Sequence, residues 1–365
     1  MFKKLKTTNH FKKLIPNFVN TKTKYIILLI TMLSFSTVQS QESYYSQFYN
    51  APIFYNPAYT GYFPGFKARL NYRNQWPQYA DDLKTYNFSM DLAERNMPGA
   101  GGLGLIFNSN AQGEGYIKRT MVGLAGSARV KHSRWLISQF GFTASVVQKK
   151  IDGDDFIFSD QLDDHHGLYY QNSSFGGLAS DNIFYPDLSL GGLLNYKRRY
   201  YSATFGLAVH HILKPNESFS GLDIRVPRRY VVHADFVILQ QSNAKTGFRF
   251  NPGILFENQA GINTFTLGMN ASKSVLYAGA WYRNKQSVIY DYQSLILLAG
   301  IKVPMVNEYS RMKIMYSYDL SLTSMKGSGG AHEISLKFEF DLIHIVKSAS
   351  YFANDYPVIT EPTRF

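Results

Sequence analysis

Several long stretches of this chain alternate, residue by residue, between apolar and polar side chains. In Phe66–Arg73 the apolar set is Phe66, Ala68, Leu70 and Tyr72, and Lys67, Arg69, Asn71 and Arg73 take the other face. Tyr201–His210 sets Tyr201, Ala203, Phe205, Leu207 and Val209 against Ser202, Thr204, Gly206, Ala208 and His210. Lys313–Leu320 and Glu333–Asp341 repeat the pattern, the latter with Ile334, Leu336, Phe338 and Phe340 opposite Glu333, Ser335, Lys337, Glu339 and Asp341. A period of two gives each strand one greasy and one polar face. A soluble sandwich would satisfy that period, but its strands usually run about 5–6 residues. Crossing hydrocarbon at a tilt of about 45° takes about 9–11 residues, and most of the alternating segments are that long. Aromatic residues make up 16% of the chain, many near the ends of these segments, as the interfacial girdles of a membrane barrel require.

The fold class predicted is all-β, a transmembrane antiparallel β-barrel of about 14 strands. The candidates are 65–75, 84–93, 101–109, 117–131, 134–149, 186–197, 199–211, 229–240, 246–256, 262–271, 274–284, 291–302, 310–321 and 331–341. Short links such as His132-Ser133 and Ser272-Lys273 alternate with long ones such as 150–185, 212–228 and 322–330. That is the short-turn, long-loop rhythm of outer-membrane barrels. An even strand number puts both chain ends on the periplasmic side and the long loops outside. Placed near midplane, Leu336→Arg is expected to cost about 2–4 kcal/mol, whereas the same change at lumenal Ser335 is expected to be mild.

Residues 1–40 contain seven lysines, no arginine and no acid, and Tyr25–Phe35 is an apolar run of signal-peptide length. Val38-Gln39-Ser40 offers a cleavage site ahead of Gln41; a retained membrane anchor is the alternative. With the presequence removed, 31 basic residues face 26 acidic ones, a net charge of +5, which does not call for a nucleic-acid partner. The chain has no cysteine, which excludes a lipoprotein anchor, a disulfide framework and a thiolate site. Beyond residue 40 no stretch reaches the roughly 18 consecutive apolar residues of a membrane helix. The domains expected are a signal peptide (1–40), an irregular N-terminal segment (41–64), the barrel (65–341) and a periplasmic tail (342–365).

Motifs for chemistry are sparse. Gly99, Gly101 and Gly104 match G-x-G-x-x-G, but Leu103–Phe107 reads as a strand and supplies no helix N-terminus for a pyrophosphate. Asp152, Asp154, Asp155, Asp160, Asp163, Asp164, His165 and His166 cluster in one loop without EF-hand spacing, and a solvated acidic loop is weighed there against a cation site. His332-Glu333 lacks the second histidine of a zinc-protease helix. Alternation sends His210 and His211 to opposite faces, one lumenal and one at the membrane interface. No G-x-S-x-G elbow surrounds any serine. Neither a cofactor nor an enzymatic activity is predicted. Lys67, Arg69 and Arg73 line one face of the first strand, and ion pairs to Glu339 and Asp341 of the last strand are favoured over an anion-selective lumen.

Tyr45–Gly61 cannot run in a central ladder, because it carries two prolines and the Asn56-Pro57 turn signal. It holds six aromatic residues, too many for a solvated linker. It is expected to start at the periplasmic mouth and to plug or brace the lumen. Ser46-Gln47-Phe48, Asn56-Pro57-Ala58-Tyr59-Thr60-Gly61 and Tyr72-Arg73-Asn74-Gln75-Trp76 together resemble the opening of the PorP/SprF family of type IX secretion membrane proteins from Bacteroidota. Pro186-Asp187, Gly191-Gly192, Ile151-Asp152 and His332-Glu333 are similar to further family landmarks. The tail after Phe340 is longer than the family's usual ending. The resemblance implies a non-enzymatic outer-membrane barrel that works with the type IX export and gliding machinery. It also implies other secretion components and a secreted surface protein, such as an adhesin, as partners, in contact with outer-membrane lipid. A solute channel is the alternative. Ser46, Gln47, Asn56, Pro57, Tyr59, Gly61, Tyr72, Arg73, Gln75, Trp76, His332 and Glu333 are the candidate motif and brace residues.

Overall fold

A computed structural model describes residues 44–63, 65–78, 83–93, 100–112, 117–151, 162–163, 167–168, 180–198, 200–239, 247–286, 291–305, 310–323 and 326–340. Residues 1–43 and 341–365 lie outside the described residues. The alternating segments become strands: β1 (Phe66–Gln75), β2 (Leu83–Ala93), β3 (Ala100–Gln112), β4 (Ile117–Lys131), β5 (Leu136–Ile151), a two-rung hairpin of β6 (Leu162–Asp163) and β7 (Gly167–Leu168), then β8 (Asn182–Lys197), β9 (Tyr201–His210), β10 (Arg229–Leu239), β11 (Arg249–Gln259), β12 (Ile262–Lys273), β13 (Leu276–Gln286), β14 (Asp291–Pro304), β15 (Ser310–Ser321) and β16 (Ala331–Phe340).

Apart from the hairpin, these strands pair antiparallel with their neighbours in one closed barrel of fourteen. β1 and β16 close it in unbroken register from Phe66↔Phe340 to Gln75↔Ala331. Closure leaves no sheet edge to pair with another chain. The expected boundaries hold to within a few residues; the largest shift is β8, which starts at Asn182 and carries Pro186 inside the ladder.

The two faces sort as the alternation requires. Leu70, Phe205, Leu207, Ile334 and Leu336 are exposed on the outside, while Lys67, Arg69, Arg73, Lys313, Glu333 and Glu339 are buried inside. An outer belt of this size, apolar and unpaired, fits lipid rather than water. β1 begins and β16 ends at one rim, here the terminal rim. The opposite rim, the loop rim, carries the long connections from β5 to β8 and from β9 to β10. Tight turns rely on left-handed backbone: Ala260 (φ 55°) and Gly261 (φ 76°) join β11 to β12, the twist that suits a two-residue hairpin.

Three expectations change. His211 does not face the membrane interface: β9 ends at His210, His211 turns into the left-handed region (φ 57°), and both imidazoles are buried inside. Glu339 takes Lys67, but Arg69 pairs with Asp91 on β2, and Arg73 with Asp319 on β15 as well as with Glu333 on β16. Asp341, the acidic loop's side chains and Gly99 lie outside the described residues. The N-terminal segment, expected to start at the same mouth as the chain's C-terminal end, begins at the rim opposite to the end of β16, the loop rim.

Candidate functional site

Residues 44–63 thread the lumen from the loop rim to the terminal rim. The segment is built from short turns, 3-10 over Phe48–Asn50, one α-turn over Pro52–Tyr55 and 3-10 over Pro57–Tyr59. Prolines at the start of the last two fit, because those positions need no N–H donor. Tyr45, Gln47, Asn56, Ala58 and Thr60 are fully buried.

The upper anchor holds Ser46 and Gln47. The Ser46 N–H donates to Glu333 Oε2 (2.6 Å) and the Gln47 N–H to Glu333 Oε1 (3.3 Å). Ser46 Oγ donates to Asp319 Oδ2 (2.7 Å) and accepts from the Arg73 guanidinium. Arg73 also reaches Asp319 (2.9 Å), as does Arg283 (3.2 Å), and Arg283 donates to the Tyr45 carbonyl (2.8 Å). Gln47 Nε2 donates to Ser317 Oγ (3.1 Å), and Ser335 Oγ donates to Gln47 Oε1 (2.6 Å). Above this, the Arg73, Arg283 and Lys285 cations lie about 5 Å from the Tyr44 ring. Five charged side chains out of water are costly, and these are offset by mutual pairing and by hydrogen bonds to the segment.

Aromatic packing carries the middle. Phe48 meets Trp281 edge-on (5.1 Å), Tyr49 stacks on the same indole (5.9 Å), and Tyr45 packs edge-on against Phe54 (5.2 Å). Burial pushes the Tyr49, Tyr55, Tyr59 and Tyr62 phenols above the ordinary tyrosine range. His210 bridges Ser189 Oγ (3.0 Å) and the Tyr55 carbonyl (3.1 Å), while His211 faces Asp187 (2.9 Å).

The lower cradle is a matter of shape. Asn56 Oδ1 accepts from the Ala58 N–H (3.0 Å), and its Nδ2 donates to the Gly192 carbonyl (3.1 Å) of β8. Tyr59 stacks on His233 (5.4 Å) and donates to Asp235 (3.1 Å). The Thr60 carbonyl accepts from Ser127 (2.6 Å) and Gln139 (2.8 Å), and the Gly61 carbonyl from Arg129 (2.8 Å). Gly61 has φ 60°, and a Cβ there would stand 2.5 Å from the Gly101 carbonyl. A Cβ on Gly141 would stand 2.5 Å from the Pro57 carbonyl, and one on Gly191 would strike the Asn56 amide. Wall glycines at inward register positions therefore admit the Asn-Pro turn.

Of the candidate residues, Ser46, Gln47, Arg73, Gln75 and Glu333 meet at the upper anchor, and Asn56, Pro57, Tyr59 and Gly61 form the lower cradle. Tyr72 and His332 do not join them. Tyr72 packs on Tyr86 (5.0 Å), and half-buried His332 meets the Tyr316 hydroxyl (2.7 Å). Trp76 sits at the loop rim with φ 59°, donating its N–H to Gly330 (2.8 Å) and packing edge-on to Tyr292. Sequence reading missed Asp319, Arg283, Asp91, Arg129, Gln139 and Gly141. The one available signal was glycine at lumenal positions of otherwise regular strands. Among the described residues no three metal-ligating side chains come together. Two cavities beside the segment measure about 20 Å³ each, room for one water apiece.

A closed antiparallel barrel with an apolar outer belt and an interior filled by its own chain is an outer-membrane barrel. Among solved structures it is similar to a FadL homologue of Pseudomonas aeruginosa (12% identity, 80% of this chain and 94% of that one, TM-score 0.44). It is also similar to a TodX deletion mutant, a monoaromatic hydrocarbon channel (10% identity, 83% and 96%, TM-score 0.44). No curated protein matches it. Residues 37–338 match the family described as type IX secretion system membrane protein PorP/SprF, and the chain belongs to that family. Family and fold are those of a secretion-system component of the outer membrane, not those of an enzyme class.

Proposed function

We propose that this protein is a non-enzymatic docking component of the type IX secretion and gliding machinery, serving export or surface retention of a particular cargo such as an adhesin. The observation that carries it is the lumen. Among the described residues, 44–63 occupy it from rim to rim, pinned at Glu333 and at the wall glycines, and two cavities beside them measure about 20 Å³ each. A filled barrel offers rims and loops to protein partners and leaves little path for a solute. In this reading the terminal rim and the tail after Phe340 face the periplasm, the long loops face outward, and the belt of Leu70, Leu207 and Leu336 contacts outer-membrane lipid. Residues 1–40 serve as the signal peptide.

The test is a deletion strain with wild-type and variant chains restored. Loss of one surface protein on deletion and its return with the wild-type gene are expected. Normal export and retention of every surface protein without this gene would defeat the reading. In planar bilayers the purified barrel should conduct negligibly; steady ohmic conductance would favour the solute channel instead.

A further inference from the structure

The turns from β4 to β5 and from β8 to β9 are neighbours at the terminal rim, because β5 pairs with β8. They carry Lys131, Arg134, Lys197 and Arg198, and residues 115–151 and 188–216 contain no aspartate or glutamate. The connection at the other rim has the opposite sign: residues 152–181, between β5 and β8, hold seven aspartates and no lysine or arginine. One end of this sector therefore attracts anions and the other repels them. We propose that Arg134, Trp135, Tyr196, Lys197 and Arg198 form a headgroup site that takes the phosphodiester of an anionic phospholipid in the leaflet at the terminal rim.

The site is built around Arg198. Its guanidinium lies 4.4 Å from the centre of the Trp135 ring and 5.4 Å from that of Tyr196, and its Nε donates to the Tyr196 hydroxyl (2.6 Å). The Lys197 N–H donates to the Trp135 carbonyl (2.9 Å), which ties the two turns together. The rings hold the guanidinium in place while Arg198 stays exposed, as does Arg134 in the neighbouring turn. A planar fork with donors along its edge matches two phosphate oxygens at once. Depth favours lipid over a protein partner. Tyr196 continues the outward register of exposed Leu190 and Leu194, and Tyr201 that of exposed Phe205 and Leu207. Tyr196 stands two residues, about 7 Å, past Leu194. These aromatic rings mark the edge of the apolar belt, where headgroups begin, and the cations sit at that edge. The inference stands apart from the export role proposed above and does not depend on it.

The test offers the full-length barrel, purified in a neutral detergent, an equimolar mixture of phosphatidylglycerol and phosphatidylcholine, and counts bound lipids by native mass spectrometry. The wild type is expected to retain phosphatidylglycerol in preference. The double variant Arg134→Gln/Arg198→Gln should lower that preference about tenfold. Lys273→Gln, at the end of β12 on the same rim, should leave it unchanged. Heat-modifiable migration on a gel checks that each barrel folds. If the double variant keeps the preference, or Lys273→Gln lowers it equally, the attraction is diffuse charge and the inference falls. If inorganic phosphate abolishes the preference, the patch is a free-anion site and the lipid assignment falls. No preference in the wild type would overturn the inference and leave the patch to an acidic protein.

Discussion

Ser46 and Gln47 sit among Arg73, Arg283, Asp319 and Glu333, whereas Asn56–Gly61 lies against glycines and backbone carbonyls. One segment is thus held by charge at one end and by shape at the other. The charged end is strong only while every partner is present, because removing one leaves the others buried and unpaired. The shaped end has little charge to lose, but an added methyl has nowhere to go.

The largest effect is expected at the charged end. Glu333→Ala strands the buried Ser46 and Gln47 amides and removes one of the two acids on Arg73, which keeps Asp319, and should weaken docking of the segment by about 3–5 kcal/mol. Chymotrypsin cleavage near Tyr49 in the detergent-purified barrel reads it; a variant as resistant as wild type would remove the distinction between the ends. Leu336→Arg, on the outer face of the same strand, should cost the barrel about 2–4 kcal/mol near midplane. That is a loss of overall stability in denaturant titration, with the segment still protected. An arginine at Ser335 is no longer expected to be mild, because the Ser335 hydroxyl is buried against Gln47 and Asn50. Gly141→Ala should cost about 1–3 kcal/mol through collision with Pro57, raising cleavage at Tyr59 before cleavage at Tyr49. Asn56→Ala removes a cap and should cost about 1 kcal/mol in the same assay.

The smallest effect at neutral pH is alkaline. Folding holds the protons of Tyr49, Tyr55, Tyr59 and Tyr62 at pH values where the unfolded chain, titrating near about 10, has lost them. Their contribution is complete below about pH 10 and is lost as pH rises above it. Protection of residues 44–63 should fall above that pH; flat protection through pH 11.5 would contradict phenol burial.

The barrel was legible because alternation and strand length are local properties. Phe66–Gln75 and Ser310–Ser321 can be outlined without knowing any partner. The contents of the lumen were only half legible. Proline and aromatic content marked residues 45–61 as irregular and packed, but their direction depends on which acid takes which arginine. Arg69 and Arg73 look equivalent along β1, yet Arg69 pairs with Asp91 on β2, and Arg73 with Asp319 on β15 and Glu333 on β16. His211 escaped for another reason: alternation holds only while the strand does, and a left-handed residue one place past its end turns the ring back inside.

The bonds from Ser46 and Gln47 to Glu333 join residues 287 and 286 positions apart. The first described part of the chain is completed only by its last strand, which is also the strand that seals the sheet against β1. Contacts of such long range form late in folding. Lumen filling and ring closure therefore belong to one final event, and a chain truncated before β16 would lack both the seam and the acid that fixes its own beginning.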